Sequence, residues 1–533
     1  MQHGQLVFLV HGYSINRTGT YGQLHRQLER RGFAPREIQL GRYVSLDDDI
    51  ELRDLARAMD RAVRAALGPL PSGTPFHMLT HSTGALVARH WLLEHYSQRR
   101  YPRSRLGNLV FLAGPHFGSR LAHHGRSVIA RVWRQGDVGQ RVLSALELGS
   151  QYGWESSLRL AAEADFFGSR GIRPYCLSGD RTSRDLLRHV GLLREKGSDE
   201  VVRLASANLN FRHYRLDMLR DELFDHAAPA AQLSGIPFAA LRNYTHSGAG
   251  NSILQSISAV EPPDWSIKAD SQDGRRLNLK LIVHLLASPT DNASYAANRE
   301  LLASLTDSES QRLSDCAQLQ LRFLDRDGRP VEDYFVEFGE ARRVTERDRY
   351  GLEFQRMEIT QSKAITHIHR NSRNPHILTL FIDRSLLTRE ASYGMRVFVE
   401  GQRLLHWEPQ ASEADSAVAI KGDHLLDHLL PRHSTTLVDV TLDRVPARAL
   451  FQFDSAASVH DDVALEAFIE QELLAFSRSR AYRALDDAAR RRALSRLERR
   501  LESQRPELRE RFRHDYHVQW ERSGRIRRSA LDG

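Results

Sequence analysis

The chain has 533 residues, 41% hydrophobic and 27% charged, the make-up of an ordinary soluble protein long enough for two or three cores. Its 75 basic and 67 acidic residues leave a formal charge of +8, too small a surplus at this length to mark a nucleic-acid-binding protein by itself. Two distant cysteines, Cys176 and Cys316, give no sign of a disulfide framework or a zinc site, and no run approaches the ~18 apolar residues of a membrane span.

The N-terminus, "MQHGQLVFLVHGYS", enters a strand at once and lacks the regions of a signal peptide. Cytoplasmic synthesis and folding follow as the expectation, with export only by a leaderless route. Short apolar runs then alternate with helical patterns. "LVFLV" (6–10), "FHMLT" (76–80), "LVFLA" (109–113) and "PYCLS" (174–178) read as strands buried on both faces, which predicts an α/β fold with a largely parallel sheet. Between the first two, Leu52, Leu55 and Met59 recur at helical spacing, and the acidic triplet Asp47 to Asp49 reads as the N-cap region of that helix.

From Ser119 to about Phe167 the pattern becomes one of short amphipathic helices, with pairs such as Val128 with Val132, Ile129 with Trp133, and Val138 with Val142. A cap over a site and plain core helices are both open readings. After about residue 310 the period drops to two. Leu319, Leu321 and Phe323 alternate with polar residues, as do Tyr334, Val336 and Phe338, and "DRDGRP" between them is a turn with Gly328 available for positive φ. An antiparallel β-sandwich is expected over 310–460. A helical, arginine-rich tail is expected over 461–533, and its interleaved glutamates read as a solvated helix face; without interleaved aromatics it gives no expectation of a nucleic-acid partner.

The stretch "FHMLTHSTGALVARHW" places Ser82 between a strand and a helix that opens at Thr83. A serine at a helix start is usually a cap. A strand–turn–helix around serine is also the nucleophile elbow, in which the turn projects Oγ above the sheet and Gly84 allows close packing on the neighbouring strand. Thr80 stands where such elbows carry glycine. A nucleophilic serine needs oxyanion donors, a base and an orienting acid. The turn His11–Gly12–Tyr13 after the first strand can present the Tyr13 N–H, and the Thr83 N–H is the second candidate donor.

"VHGYS", "HSTGALVARHW" and "LVFLAGPHFGS" resemble, in that order, the oxyanion loop, the elbow and the following strand of α/β-hydrolase lipases and esterases. The nearest groups are the bacterial triacylglycerol lipases and the lipases related to GPI-inositol deacylase. The resemblance covers residues 5 to about 260. It implies an α/β-hydrolase core over 1–300 with a helical lid over 119–170, a structural role for His116, and the chain order serine, acid, histidine. "GSDEVVRLASANL" is similar to the lipase segment S-D-G-V-V-P-x-x-S-A, which makes Asp199 the acid and leaves Glu200 for glycine and Arg203 for proline as departures. Asp180, just past a strand end, is the rival acid. "NYTHSGAGNSILQSI" makes His246 the base, with His226 its competitor.

The implied activity is serine carboxylic-ester hydrolysis on lipids, most specifically phospholipids, through an acyl-enzyme and without metal or organic cofactor. The alternatives are an esterase or acyltransferase on a small soluble substrate, or a non-catalytic scaffold with this fold. A sandwich beside a lipase core is a lipid-docking module in some proteins and a structural or partner-binding one in others, so peripheral membrane contact is an expectation from analogy. Leaderless bacterial phospholipases include effectors delivered by type VI secretion, which would bring a secretion-system or immunity partner, and intracellular lipid-turnover enzymes.

Overall fold

The apolar runs of the first half become one parallel sheet in the computed structural model. The structure describes residues 4–504 apart from 12–20, 39–48, 72, 97–103, 121, 123–139, 164, 182–195, 218–227, 249, 275, 348–352, 400–404, 409–417, 447–474 and 477–484. The sheet holds β1 (Gln5–Val10), β2 (Phe33–Ile38), β3 (Thr74–His81), β4 (Ser104–Leu112), β5 (Arg173–Asp180) and β8 (Phe238–Arg242); β6 (Phe211–Asp217) and β7 (Ala231–Leu233) belong elsewhere. Its order is β2-β1-β3-β4-β5-β8, with every neighbouring pair parallel. Such a sheet is covered on both faces, which is why its strands read as unbroken apolar runs.

Val7, Leu9, Leu79, Val110, Leu112 and Leu177 face α1 (Leu24–Arg30), α6 (Leu277–Ala287) and α7 (Asn292–Asp307). Phe8, Val10, Phe76, Met78 and Phe111 face α2 (Leu52–Leu67) and α3 (Thr83–Glu94). The stripe Leu52, Leu55, Met59 of α2 is buried as its spacing predicts. The cap differs from the expected one. Glu51 and Asp54 form a capping box at the start of α2, while Asp49 pairs with Arg141 at 3.2 Å; Asp47 and Asp48 lie outside the described residues.

Of the helices expected after Ser119, α4 (Gln140–Leu146) and α5 (Gln151–Ala161) are described, whereas Val128, Ile129, Val132, Trp133 and Val138 are not among the described residues. Val142, Leu143, Leu146 and Leu160 join the core under α2 and α3. Buried Arg89 of α3 donates to the Gly153 carbonyl at 3.0 Å and to Ser157 Oγ at 3.2 Å. Trp154 of α5 is fully buried with Phe117, Phe211, Ile377 and Leu437, so α5 joins the first half of the chain to the second.

The second half forms two facing sheets. The smaller is antiparallel, in the order β11 (Glu353–Gln361), β10 (Tyr334–Arg347), β14 (Ser392–Val399), β16 (Val418–Lys421). The larger runs β12 (Ile365–Arg370), β13 (Ile377–Asp383), β9 (Cys316–Asp325), β17 (Thr435–Pro446), β6, β7, with β15 (Leu405–Glu408) on the far end of β17. Leu319, Leu321, Phe323, Val438 and Val440 meet Phe338, Tyr393, Met395 and Val397 between them. The antiparallel expectation holds for the smaller sheet alone: β9 with β17 and β17 with β6 are parallel pairs. Gly328 does adopt φ 79° in its turn, and that turn carries the chain from one sheet to the other instead of closing a hairpin between β9 and β10.

Strand β6 lies within the range 1–300, yet it is hydrogen-bonded to β17, with Phe211 opposite Thr435. Beside the apolar cluster around Trp154, the junction of the halves holds buried polar contacts. Gln320 donates to the Phe117 carbonyl at 3.0 Å, Glu147 accepts from His369 Nε2 at 3.0 Å and from Ser372 Oγ at 2.6 Å, and Arg322 lies 4.6 Å over the Trp154 ring. In the tail, α8 (Asp487–Gln504) is helical as expected and buries Ala493, Leu494 and Leu497. No described helix is long and apolar enough to cross a membrane. Replacing Trp154 with alanine should cost about 3–5 kcal/mol, by lost transfer energy and the cavity left at the junction; urea unfolding of the full chain followed by circular dichroism measures it.

Candidate active site

Ser82 follows the last residue of β3 and precedes the first of α3. Its backbone stands at φ 55°, ψ −130°, a region that side chains avoid and that costs about 1–3 kcal/mol. The turn is held by the Ser82 N–H donating to the Leu112 carbonyl at 3.0 Å. Gly84 is required by space: a Cβ there would fall 2.6 Å from the Val10 carbonyl oxygen and 2.8 Å from that of His11. Thr80, where elbows usually carry glycine, is fully buried in β3, in register with Val10 and Phe111.

The tight turn aims Ser82 Oγ at His246 Nε2, 3.0 Å away. On the other side of the ring, His246 Nδ1 lies 2.9 Å from Asp199 Oδ2. An ionised carboxylate has only acceptors, so Nδ1 carries the proton and donates to Asp199, leaving Nε2 to accept from the serine hydroxyl. The Asp199 carboxylate is spoken for on its other oxygen too, which accepts from the Val201 and Val202 N–H groups at 3.0 and 2.7 Å. A backbone bond from the His246 N–H to the Asp199 carbonyl, 2.9 Å, ties the two loops together directly. All three side chains are buried.

The remaining expected residues fall as follows. Thr83 opens α3, so its N–H belongs to the first turn, where helix amides lack intrahelical partners and form the positive end of the dipole. His11 is buried at the end of β1, and Gly12, Tyr13 and the rival base His226 lie outside the described residues. His116 is buried edge-on to Phe111, with its carbonyl accepting from Arg89 at 3.1 Å. Burial, with Arg89 adding to it, holds its imidazole well below the usual range, so it is neutral. Asp180 is spent elsewhere: it accepts from the Gly197 N–H at 3.1 Å and the Ser314 N–H at 2.8 Å, and burial pushes its carboxyl upward.

Sequence reasoning passed over three contributors. His81 packs its ring 4.8 Å from that of His246 and 5.6 Å from that of His11. Burial, then the neighbouring His246 and His11, hold His81 well below the usual histidine range, so a neutral ring flanks the base. Ser119, at the end of the G-x-P-H-x-G-S segment, donates to the Val201 carbonyl in the acid loop. Arg203 carries the same loop across to the second half of the chain. All three lie in segments the sequence singled out, His81 at the head of the elbow, Ser119 at the end of the G-x-P-H-x-G-S run and Arg203 as a departure in the acid segment, but none had a role assigned to it.

Because Ser82 occupies backbone space that glycine alone takes freely, Ser82→Gly should be more stable than Ser82→Ala by about 1–2 kcal/mol. Thermal and urea unfolding of the two variants side by side reads the difference, and equal stabilities would mean that the turn is unstrained.

No family model and no curated protein sequence matches this chain. Solved structures do. The phospholipase PlaB from Legionella pneumophila superposes with a TM-score of 0.68 at 22% identity, over 86% of this chain and 97% of that one. The same protein in complex with thio-NAD gives 0.66 at the same identity and coverage. The shared span is too long for the parallel-sheet half to supply alone, so it takes in the C-terminal sheets as well. At this identity the likeness is one of architecture: the chain has the α/β-hydrolase fold, continued by a C-terminal β-sandwich.

Proposed function

We propose that this chain is a serine hydrolase of lipid carboxylic esters, with phospholipids as its substrates. The observation that carries the reading is the alignment of Ser82 Oγ, His246 and Asp199 in two successive hydrogen bonds of 3.0 and 2.9 Å, with the serine on a strained elbow. Base and acid so arranged serve nucleophilic acyl transfer. The lipid assignment draws support from the architecture, since the structure that superposes over 86% of the chain is named a phospholipase.

In this mechanism His246 Nε2 takes the Ser82 proton as Oγ attacks the ester carbonyl carbon. The carbonyl electrons move onto oxygen, where the Thr83 N–H meets the developing charge; Tyr13, the second donor expected from the sequence, lies outside the described residues. Collapse of the tetrahedral species breaks the bond to the alcohol, which leaves with the proton from His246. Asp199 keeps the imidazole in its tautomer and stabilises the imidazolium. Water repeats the sequence on the acyl-enzyme. A phospholipid would be drawn from a membrane surface, toward which the charge of +8 gives a weak attraction if the lipid is anionic.

The test compares the full chain with Ser82→Ala and Asp199→Asn on mixed phospholipid vesicles, a triglyceride emulsion and a short p-nitrophenyl ester. Fatty acid should be released from the vesicles, and kcat should fall by about 10⁶-fold in Ser82→Ala and about 10⁴-fold in Asp199→Asn. Equal release by Ser82→Ala would sink the mechanism. Release from the soluble ester alone would sink the lipid assignment.

A further inference from the structure

We infer that Arg203 is a positioning residue, through which the C-terminal sheet holds the Asp199 loop in register with His246. The inference rests on the reading of Ser82, His246 and Asp199 as a triad, and adds to it a role for the second half of the chain.

The acid loop, Gly197 to Arg203, has little structure of its own. It is a short turn closed by a bridge between Ser198 and Arg203 and by the Asp199 N–H donating to the Val202 carbonyl at 3.1 Å. Within it Glu200 sits at φ 91°, which only glycine adopts without strain. Lipases that this segment resembles carry glycine there and proline at the position of Arg203, so their loop is relaxed at one position and stiffened at the other. Here Glu200 strains the turn and Arg203 lacks the ring that would stiffen it, so the turn needs external bracing.

The second half of the chain supplies that bracing. The Arg203 side chain is 2% exposed and runs away from the loop into the larger sheet. Its guanidinium donates to Gln318 Oε1 of β9 at 3.3 Å and to His367 Nδ1 of β12 at 2.9 Å, and lies 4.2 Å over the Phe381 ring of β13. Three strands are thus engaged by one side chain whose own backbone pairs with Ser198, next to the acid. The other end of the loop is seated on the same sheet: a Cβ at Gly197 would fall 2.6 Å from Cys316 Sγ. A planar fork anchored at several points fixes orientation as well as distance, which a lysine would not.

The position of Asp199 matters steeply, because a displacement of about 1 Å in a catalytic constellation costs about 10²-fold in rate. Arg203→Met should therefore lower kcat by about 10–100-fold with KM within about twofold. The acid limb of kcat/KM should also move to lower pH, since a carboxylate drawn off His246 stabilises its protonated form less. Arg203→Lys should recover part of both. The double variant Gln318→Leu, His367→Phe, placed wholly in the second half of the chain, should reproduce the pattern more weakly.

The experiment uses the full-length chain, with kcat counted per active site by fluorophosphonate titration. If Arg203→Met is recovered poorly, the double variant carries the test. Loss of active protein at unchanged kcat per site and an unchanged acid limb would reduce Arg203 to a packing residue and overturn the inference. Ser82→Ala or Asp199→Asn hydrolysing like the parent would instead remove the triad on which it rests.

Discussion

A carboxylate removed from water has to be given hydrogen-bond donors before it can orient anything. Asp199 is fully buried, and the way it is satisfied dictates the site around it. One oxygen takes two backbone N–H groups from the turn that follows, and this leaves the other oxygen a single direction in which to accept, toward His246. The imidazole is then fixed in one tautomer, and its far nitrogen is presented to the serine. The bonds that tie the loop to its surroundings, from Ser119, Asp180 and the β12 and β9 partners of Arg203, maintain that direction.

Strain and packing are distributed in the same sense. Ser82 and Glu200 both hold positive φ, and both belong to short turns whose flanking residues are fixed by the sheet or the helix beyond them. The rigid parallel sheet bears the cost of the first turn through β3 and α3. The second turn lies outside that sheet and is braced by the sandwich. The polar side chains of β9 make the difference visible: Gln318 and Gln320 sit on the strand face opposite Leu319 and Leu321, and they are as buried as those leucines because the first half of the chain covers them.

This explains which parts of the molecule are legible in the sequence. The strands of the parallel sheet, the elbow and Gly84 are local features, decided by neighbours within a few residues, and they can be read directly. Asp199 and His246 are legible through their segments' resemblance to lipases, which carries the order of residues along the chain. Sheet membership is not local. Nothing around Phe211 says that its strand pairs with Thr435, and an alternating strand such as β9 reads as half-exposed whether its polar face meets water or another part of the chain. For the same reason Arg203 registers in the sequence only as a departure from a pattern, while its partners are the residues that give the departure a purpose.

The placement of β6 also has a meaning in time. A chain emerges from the ribosome N-terminus first, and Ser434, at the head of β17, follows Asn210, at the head of β6, by 224 residues. The parallel sheet, the elbow and the histidine are all made before the strand that β6 requires. Until β17 arrives, one edge of β6 is open, and the acid loop in the segment leading into it has only its ties to Ser119, Asp180 and His246. The bracing of the site is thereby deferred until β9, β12 and β17 have been made, and a chain shorter than that holds its serine, its base and its acid without that part of the frame.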